Sequence, residues 1–170
     1  LDEWQLEVKC ARRQANSFIR QVFPDFELEM ITRKIEGNNR AWYGIVIATG
    51  YETGHEVHYR FMISGLGTYT YEIATFSPDG KEQINLDIKD PSTNSPHIHR
   101  KDDSNQIKVI RRGSIIEFWV NDNFVLARDI GIGQFEPVNL APSVILPNEI
   151  RGGEEQYIRI GFSDFVVYEP

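Results

Sequence analysis

Apolar and polar residues alternate with a period of two along much of this chain. In the segment 57–64 the odd positions are Val, Tyr, Phe and Ile, whereas the even positions are His, Arg, Met and Ser. The segments 26–30 and 116–120 alternate in the same way. Successive side chains of a strand point to opposite faces, so this pattern predicts strands with one buried and one exposed face. Such strands are typical of antiparallel sheets, and we predict an all-β fold. The alternation predicts a core that contains Phe26, Leu28, Met30, Phe61, Ile63, Ile116, Phe118, Val120, Phe162 and Val166.

Residues that favour tight turns separate these runs. The tripeptide at 78–80 is Pro-Asp-Gly and the one at 121–123 is Asn-Asp-Asn, and Asn, Asp and Gly tolerate the positive φ angles of hairpin turns. Many short strands joined by such turns indicate a sandwich or a barrel. Twelve segments are predicted as strands, at about residues 4–10, 18–23, 26–35, 42–49, 57–64, 69–77, 83–88, 106–112, 115–121, 124–130, 143–147 and 156–168.

Three segments lack a clear strand pattern. Segment 7–21 contains fair helix formers but no apolar stripe at helical spacing, so a strand, a loop and a second strand are predicted there. The polar segments 89–105 and 147–156 are predicted as long loops, which often serve function.

Composition limits the class of protein. The 170 residues are 41% hydrophobic, which excludes intrinsic disorder and fits one domain. The 18 basic and 25 acidic residues give a net charge of −7, so the positive field that attracts nucleic acid is missing. No apolar run approaches the ~18 residues that a membrane span needs. Because the chain begins with Leu1, we expect residues 1–170 to be a single domain of a larger or processed protein.

Five segments, in this order, resemble the concanavalin A-like lectin/glucanase superfamily. They are DFELEMITRK, WYGIVIAT, YRFMISGLGTYTYEI, NQIKVIRRGSIIEFWVNDNFVLARD and IRIGFSDFVVYEP. Within the superfamily the chain is similar to laminin G-like jelly rolls and to bacterial keto-disaccharide hydrolase-like domains. The resemblance implies a jelly-roll sandwich of two antiparallel sheets, one of them concave, with ligands bound on the concave face or at the rim. It also favours an extracellular or cell-envelope location.

A short acidic motif is the first candidate site. On a strand, Asp25, Glu27 and Glu29 would share one face, with neighbouring Cβ atoms ~6.5–7 Å apart. Retaining glycosidases use two carboxyl groups ~5–5.5 Å apart. Glucanases of the resembling superfamily carry Glu-x-Asp-x-Glu on one strand, whereas this chain has Asp-x-Glu-x-Glu near its N-terminus. Glu27 and Glu29 are therefore weaker acidic candidates, and a solvated strand face is the simpler interpretation.

Strand parity gives the second candidate, a polar face opposite the core. Its members are polar or aromatic residues that alternate with apolar ones: His58, Arg60, Glu72, Lys108, Glu117 and Trp119. A tryptophan among charged groups suits a sugar, whose C–H face stacks on the ring while the polar groups bond the hydroxyls. The alternative is that Trp119 packs beneath a loop, since large aromatic side chains are mostly buried.

Metal and nucleophile signals are weak. His97 and His99, beside Asp102 and Asp103, have the residue types of a transition-metal site, but the sequence supplies no third ligand at a fixed position. Calcium is implied only by the resemblance, because no segment has the spacing of an EF-hand loop. The single cysteine, Cys10, forms neither an internal disulfide nor a thiolate zinc site.

These observations predict a non-catalytic carbohydrate-binding or adhesion-like module. A saccharide or glycoconjugate is the expected ligand, and His58, Arg60, Glu72, Glu117 and Trp119 are the expected site. A glycoside hydrolase-like enzyme and a protein–protein interaction module are the two alternatives, because the fold hosts all three roles. No cofactor is expected, apart from the calcium ion that the resemblance implies.

Overall fold

A computed structural model describes residues 3–9, 14–19, 21–49, 56–77, 83–89, 91–131, 138–146 and 156–169. For Val22 and residues 83–89 it describes the backbone only. Regular structure in these residues consists of strands. No helix in this part of the chain is long and apolar enough to cross a membrane.

Fourteen strands occur in the described residues. In chain order they are β1 (Trp4–Val8), β2 (Gln14–Asn16), β3 (Val22–Phe23), β4 (Phe26–Gly37), β5 (Trp42–Thr49), β6 (Glu56–Ser64), β7 (Thr68–Phe76), β8 (Gln83–Lys89), β9 (Thr93–Asn94), β10 (Asn105–Arg112), β11 (Ile115–Val120), β12 (Asn123–Asp129), β13 (Val138–Ile145) and β14 (Ile158–Tyr168). The all-β prediction is confirmed.

The strands form two antiparallel sheets. The six-stranded sheet has the order β1-β14-β4-β10-β11-β12. The eight-stranded sheet has the order β2-β13-β5-β6-β7-β8, with β3 paired to β13 and β9 paired to β7. Strands distant in sequence lie side by side in both sheets, and this arrangement places β6 and β11 in different sheets.

The core lies between the two sheets. Phe26, Leu28 and Met30 of β4 and Phe118 of β11 meet Phe61 of β6 in one cluster of buried side chains. The rings of Phe61 and Phe118 stack across the sandwich, with centroids 4.6 Å apart and planes 18° apart. The residues that parity assigned to the core are buried at 0 or 1% exposure, with one exception.

The exception is Val166, which is 41% exposed. The pairing of β14 with β4 shifts register between Ser163 and Val166, and Asp164 has a φ of 50°. This β-bulge adds one residue to β14, so the positions that point inward change from even to odd residue numbers after it. Phe162 therefore points into the core before the bulge, whereas Phe165 and Val167 pack against the core after it. The prediction of a buried Val166 is wrong because a single sequence does not show the bulge.

The hairpin that carries most of the family resemblance is held by buried polar side chains. Arg111 of β10 is fully buried and donates from Nε to the carbonyl oxygen of Gly113 at 2.9 Å. Asn121 donates from Nδ2 to Oδ1 of the buried Asn105 at 2.9 Å. The predicted turn at 121–123 is present, with φ of 50° at Asn121 and 62° at Asp122. These motif residues stabilise the hairpin and its turn.

Strand β13 is longer than the segment 143–147 predicted for it. It contains Pro142, which pairs with Ile45 of β5. The carbonyl oxygen of Pro142 accepts from the backbone N–H of Ser17, so the proline nitrogen faces the same side, away from β5. Pairing there is interrupted between β2 and β3, which is why a residue without an N–H is tolerated.

Candidate functional site

The predicted site residues lie on two separate surfaces. His58, Arg60 and Glu72 lie on β6 and β7 of the eight-stranded sheet, whereas Glu117 and Trp119 lie on β11 of the six-stranded sheet. In each strand these residues alternate with core residues, so all five point away from the core, as parity predicted. The two outer surfaces are on opposite sides of the sandwich. The prediction that the five residues share one face is therefore wrong.

The outer surface of the eight-stranded sheet, here called the front face, has a floor of small apolar residues. Val46, Ala48 and Ala141 form a second buried cluster, separate from the core, against which Phe18 packs. In register, Ala48 lies beside His58, and Val46 lies beside Arg60. Small floor residues leave room between the taller side chains of the neighbouring strands. The taller residues of the front face are Glu56, His58, Arg60, Glu72 and Phe76.

Arg60 is the central charged residue of the front face. It is 3% exposed, and its Nη1 lies 3.6 Å from Oε2 of Glu72, its partner in register on β7. Its Cζ lies 5.1 Å from the centre of the Phe76 ring, a cation–π contact. Burial lowers the pKa of Arg60, and the Glu72 carboxylate opposes this effect. An arginine remains charged in proteins, so the front face holds a fixed buried cation.

One edge of that guanidinium has no acceptor in the part of the chain that the structure describes. Nε and Nη2 of Arg60 are buried and lack a hydrogen-bond partner among the described residues. These two nitrogens form the side edge of the planar group, whose two N–H bonds run parallel and match a pair of adjacent oxygen atoms. A buried donor without an acceptor costs about 1–3 kcal/mol, and more when it is charged. The edge is therefore suited to a ligand that brings two neighbouring oxygens.

His58 lies one position along the same face. Its Nε2 lies 3.1 Å from Oε1 of Glu56, and its Nδ1 has no hydrogen-bond partner within the described ranges. The Phe76 ring lies 4.2 Å from the imidazole and the Phe18 ring 5.6 Å from it. Burial lowers the pKa of His58, and the Glu56 carboxylate opposes this while Arg60 adds to it. The neutral imidazole can donate one hydrogen bond and accept another.

The outer surface of the six-stranded sheet, here called the back face, carries the remaining candidates. Trp119 donates from Nε1 to Oε2 of Glu117 at 3.2 Å, and its ring meets the ring of Phe124 edge to face at 5.4 Å. Lys108 lies beside Trp119 in register and forms ion pairs with Glu27 and Glu29, the latter at 3.3 Å.

The three acidic residues Asp25, Glu27 and Glu29 thus have two separate structural roles. Asp25 precedes β4, and its Oδ1 accepts from the backbone N–H of Gly113 at 2.8 Å. Glu27 and Glu29 raise the pKa of Lys108 through hydrogen bonds and charge, with Glu27 contributing most. A carboxylate pair shared with a lysine on an open strand surface stabilises the sheet modestly. The geometry gives Glu27 and Glu29 a shared structural partner in Lys108.

His97 and His99 take part in hydrogen bonds that stabilise the loop at 89–105 on which they lie. Nδ1 of His99 lies 2.8 Å from the carbonyl oxygen of Ser104, and the carbonyl oxygen of His97 accepts from Asn121. Asp102 forms an ion pair with the buried Lys34 at 2.7 Å. Within the described part of the chain, no three His, Cys, Asp or Glu side chains lie close enough to hold a metal ion. His55 and Cys10 lie outside the described residues.

Three front-face residues were missed by sequence reasoning. Glu56 shares the parity of His58, and Phe76 shares that of Glu72, so both could have been found by extending the alternation to the strand ends. Phe18 gives no such signal. It precedes β3 outside any regular strand, and it reaches His58 because the chain returns beside β13 at this point.

The sequence matches no protein-family model and no curated protein. Solved structures are nevertheless similar to this chain. The carbohydrate-binding module CBM66 of Bacillus subtilis matches with a TM-score of 0.58 and 11% identity, over 95% of this chain and 84% of that chain.

Two glycoside hydrolases match as well. A family 16 enzyme of Bacteroides ovatus, solved with a mixed-linkage glucan product, gives a TM-score of 0.63 at 11% identity, over 98% of this chain and 80% of that one. The laminarinase catalytic domain of Thermotoga maritima gives a TM-score of 0.62 at 13% identity, over 99% of this chain and 78% of that one. These proteins share the jelly-roll sandwich fold of this chain, and the fold predicted from the sequence is confirmed. At such low identity the likeness concerns the fold.

Proposed function

We propose that this domain is a non-catalytic carbohydrate-binding module whose ligand lies on the front face at Arg60. The observation that carries the proposal is the buried guanidinium edge of Arg60, where Nε and Nη2 lack a protein acceptor in the described residues. Two neighbouring hydroxyl oxygens of a sugar ring would satisfy both donors at once. Glu72, His58 and Glu56 lie along the same face and can bond further hydroxyl groups.

The charges of the front face favour a neutral saccharide. Among the side chains that the structure describes, Arg60 is its cation, while Glu56 and Glu72 are carboxylates. Burial lowers the pKa of His58, so the imidazole is neutral near pH 7. The sum over these described side chains is one negative charge, which disfavours a uronate or a sulfated sugar. Phe76, which contacts both Arg60 and His58, adds an aromatic ring of the kind that sugars contact.

The carboxylates do not fit a glycosidase pair. Glu56 lies opposite Phe76 in register and Glu72 lies opposite Arg60, so the two carboxylates are four residues apart along the strands, or ~13 Å at ~3.3 Å per residue. Retaining enzymes need ~5–5.5 Å between the carboxyl groups and inverting enzymes ~6.5–9.5 Å. Each carboxylate also faces a basic side chain, His58 or Arg60. These features support binding over hydrolysis at the front face.

The similar structures support the ligand class. They include a carbohydrate-binding module, an enzyme holding a mixed-linkage glucan product and a laminarinase. Similar folds therefore hold saccharides, and this likeness supports a saccharide ligand without indicating its charge. The ligand of this chain is proposed on its own front-face geometry, with the shared fold as secondary support.

The test is a glycan array followed by calorimetric titration of the best ligand. It is run with and without calcium, because the jelly-roll resemblance implies a calcium ion at the rim. Arg60→Lys keeps the charge but removes the parallel N–H pair, so affinity should fall by about 10-fold or more. The matched control is Arg33→Lys on the back face, which should bind like the unaltered protein.

Two results would contradict the proposal. Equal affinity of Arg60→Lys and the unaltered protein, with both folded, would move the ligand away from the front face. Release of reducing sugar from a bound glycan would show an enzyme. Glu56→Gln and Glu72→Gln would then identify the responsible carboxylate.

A further inference from the structure

A cavity lies where the edges of the two sheets meet. Its volume is about 530 Å³, within the ~300–1,000 Å³ typical of small-ligand sites. Trp4 comes from β1 at the edge of the six-stranded sheet, and Phe23 comes from β3, which pairs with β13 of the other sheet. Phe165 and Val167 of β14 complete the apolar wall. None of these residues belongs to the front face.

The wall contains a stacked aromatic pair. The rings of Trp4 and Phe165 have centroids 6.0 Å apart and planes 22° apart. Trp4 is 47% exposed, although an indole ring gains free energy when it is covered. Phe165 supports the ring from one side, so the indole is held in a fixed orientation beside the cavity. An exposed and oriented indole is a platform for a flat apolar surface, such as the C–H face of a pyranose ring.

The bulge in β14 creates this wall. Asp164 has a φ of 50°, a left-handed conformation that non-glycine residues seldom adopt. Without the extra residue, Phe165 and Val167 would point outward and Val166 would point inward. Bulges next to binding sites commonly redirect a side chain in this way. Here the bulge turns Phe165 toward Trp4.

A polar pair lies at the same cavity. Nε2 of Gln21 donates to Oε1 of Glu169 at 3.1 Å, across 148 residues of sequence. Both side chains line the cavity. An amide and a carboxylate together offer donors and acceptors beyond the bond that they make to each other. The cavity thus combines an aromatic platform with groups that can bond hydroxyls.

We propose that this cavity is a second saccharide site, which takes one neutral pyranose ring stacked on Trp4. Gln21 and Glu169 bond its hydroxyl groups, and Phe23 and Val167 contact its C–H surface. The site is independent of the front face, because it shares no residue with that face and uses different strands. Glu169 disfavours an acidic sugar here. An organic cation, which aromatic rings and a carboxylate also attract, is the competing ligand that the experiment must separate.

The experiment uses the chain labelled with 5-fluorotryptophan, whose three tryptophans give three fluorine resonances. Single Trp→Phe variants assign the resonances of Trp4, Trp42 and Trp119. Cellobiose, laminaribiose and maltose are titrated to about 100 mM, which covers millimolar dissociation constants. Choline chloride is titrated in parallel as the organic cation.

The expected result is a saturable shift of the Trp4 resonance with at least one disaccharide, while the other two resonances do not follow the same curve. Gln21→Ala should raise the dissociation constant read from Trp4 about fivefold or more, the effect of one lost hydrogen bond. Gln5→Ala, an exposed glutamine of the same strand as Trp4, should leave that constant unchanged.

Three results would overturn the proposal. The Trp4 resonance could shift with choline chloride and with none of the disaccharides, which would make the cavity a cation site. It could remain unshifted with every ligand. Its sugar-dependent shift could disappear in Arg60→Lys, which would show that the signal comes from the front face. A Trp4 shift that persists in Arg60→Lys would support the second site even if the front-face proposal failed.

Discussion

Arg60 and Glu72 lie directly opposite each other on β6 and β7, with Nη1 3.6 Å from Oε2. Both residues are buried on the outer surface of a sheet, where strand parity alone would predict contact with water. Each charge has lost hydration, and the attraction between the two offsets part of that loss. The pair therefore has a structural role in addition to the proposed contact with a ligand.

The Arg60–Glu72 ion pair can be removed by substituting one of its residues or both. Arg60→Met removes the Arg60 cation that faces the buried Glu72 carboxylate and should cost about 3–5 kcal/mol of unfolding free energy. Arg60→Met combined with Glu72→Leu should recover most of that loss, because neither charge is then buried. Urea unfolding measures both variants. Equal destabilisation of the single and double variants would show that the charge left on Glu72 is not the cause.

The lowered pKa of His58 predicts that the folded protein loses stability in mild acid. Burial lowers its pKa in the folded state, whereas the unfolded chain titrates near ~6.5. Below about pH 6.5 the unfolded state therefore binds a proton first, and the unfolding free energy falls as pH decreases toward the folded pKa. The fall can reach about 1.4 kcal/mol per pH unit for one group. The groups facing His58 are Glu56, Arg60, Phe18 and Phe76.

The measurement compares urea unfolding at pH 7 and pH 5 in three proteins. The unaltered protein should lose more stability on acidification than His58→Gln. His97→Gln removes an exposed histidine and should behave like the unaltered protein. If His58→Gln and the unaltered protein lose the same free energy between these pH values, the folded-state pKa of His58 is not lowered.

Phe118 links the two sheets through its stack on Phe61. It is fully buried, so Phe118→Ala should cost about 3–5 kcal/mol through lost burial and a cavity. Phe124→Ala is the matched control, because Phe124 is 52% exposed on the next strand and should cost far less. Thermal or urea unfolding checks both variants. Similar costs for the two would contradict the sandwich core described here.

The alternation of apolar and polar residues predicts most of the strands, because the side of the sheet that a residue faces depends only on its position along its own strand. Phe26, Leu28 and Met30 must all face the core if any one of them does, since side chains alternate at every residue. The same rule fails at Val166, where an added residue changes the parity. The first part of β13, which contains Pro142, is likewise not predicted as a strand. Nothing in the sequence shows that the proline nitrogen faces the interruption between β2 and β3.

The candidate site was harder to predict for a topological reason. Parity shows that Arg60 and Trp119 both point away from the core, but it does not tell which sheet holds each strand. A sandwich has two outer surfaces, and β6 and β11 contribute to different ones. The sheet order depends on long-range pairing such as β4 with β14, which local pattern does not encode.

Glu27 and Glu29 should be dispensable for ligand binding. They pair with Lys108 on the back face, away from Arg60. Glu27→Gln and Glu29→Gln should each change the unfolding free energy by at most about 1 kcal/mol, as exposed ion pairs do. Neither should alter the affinity for a glycan that requires Arg60, or any glycan turnover. Loss of a robust turnover in a folded variant would show instead that these carboxylates are catalytic.

Trp119 tests whether the back face also binds sugar. Its ring packs against Phe124 and its indole N–H is used by Glu117, so Trp119→Ala should cost about 1–2 kcal/mol of stability. The affinity for an Arg60-dependent glycan should stay within about twofold, because the two residues lie on opposite sides of the sandwich. Phe124→Ala removes the same ring contact and serves as the control for stability. A 10-fold loss of glycan affinity in Trp119→Ala, with Phe124→Ala and the fold unaffected, would place the ligand on the back face and leave the Arg60 pair a purely structural feature.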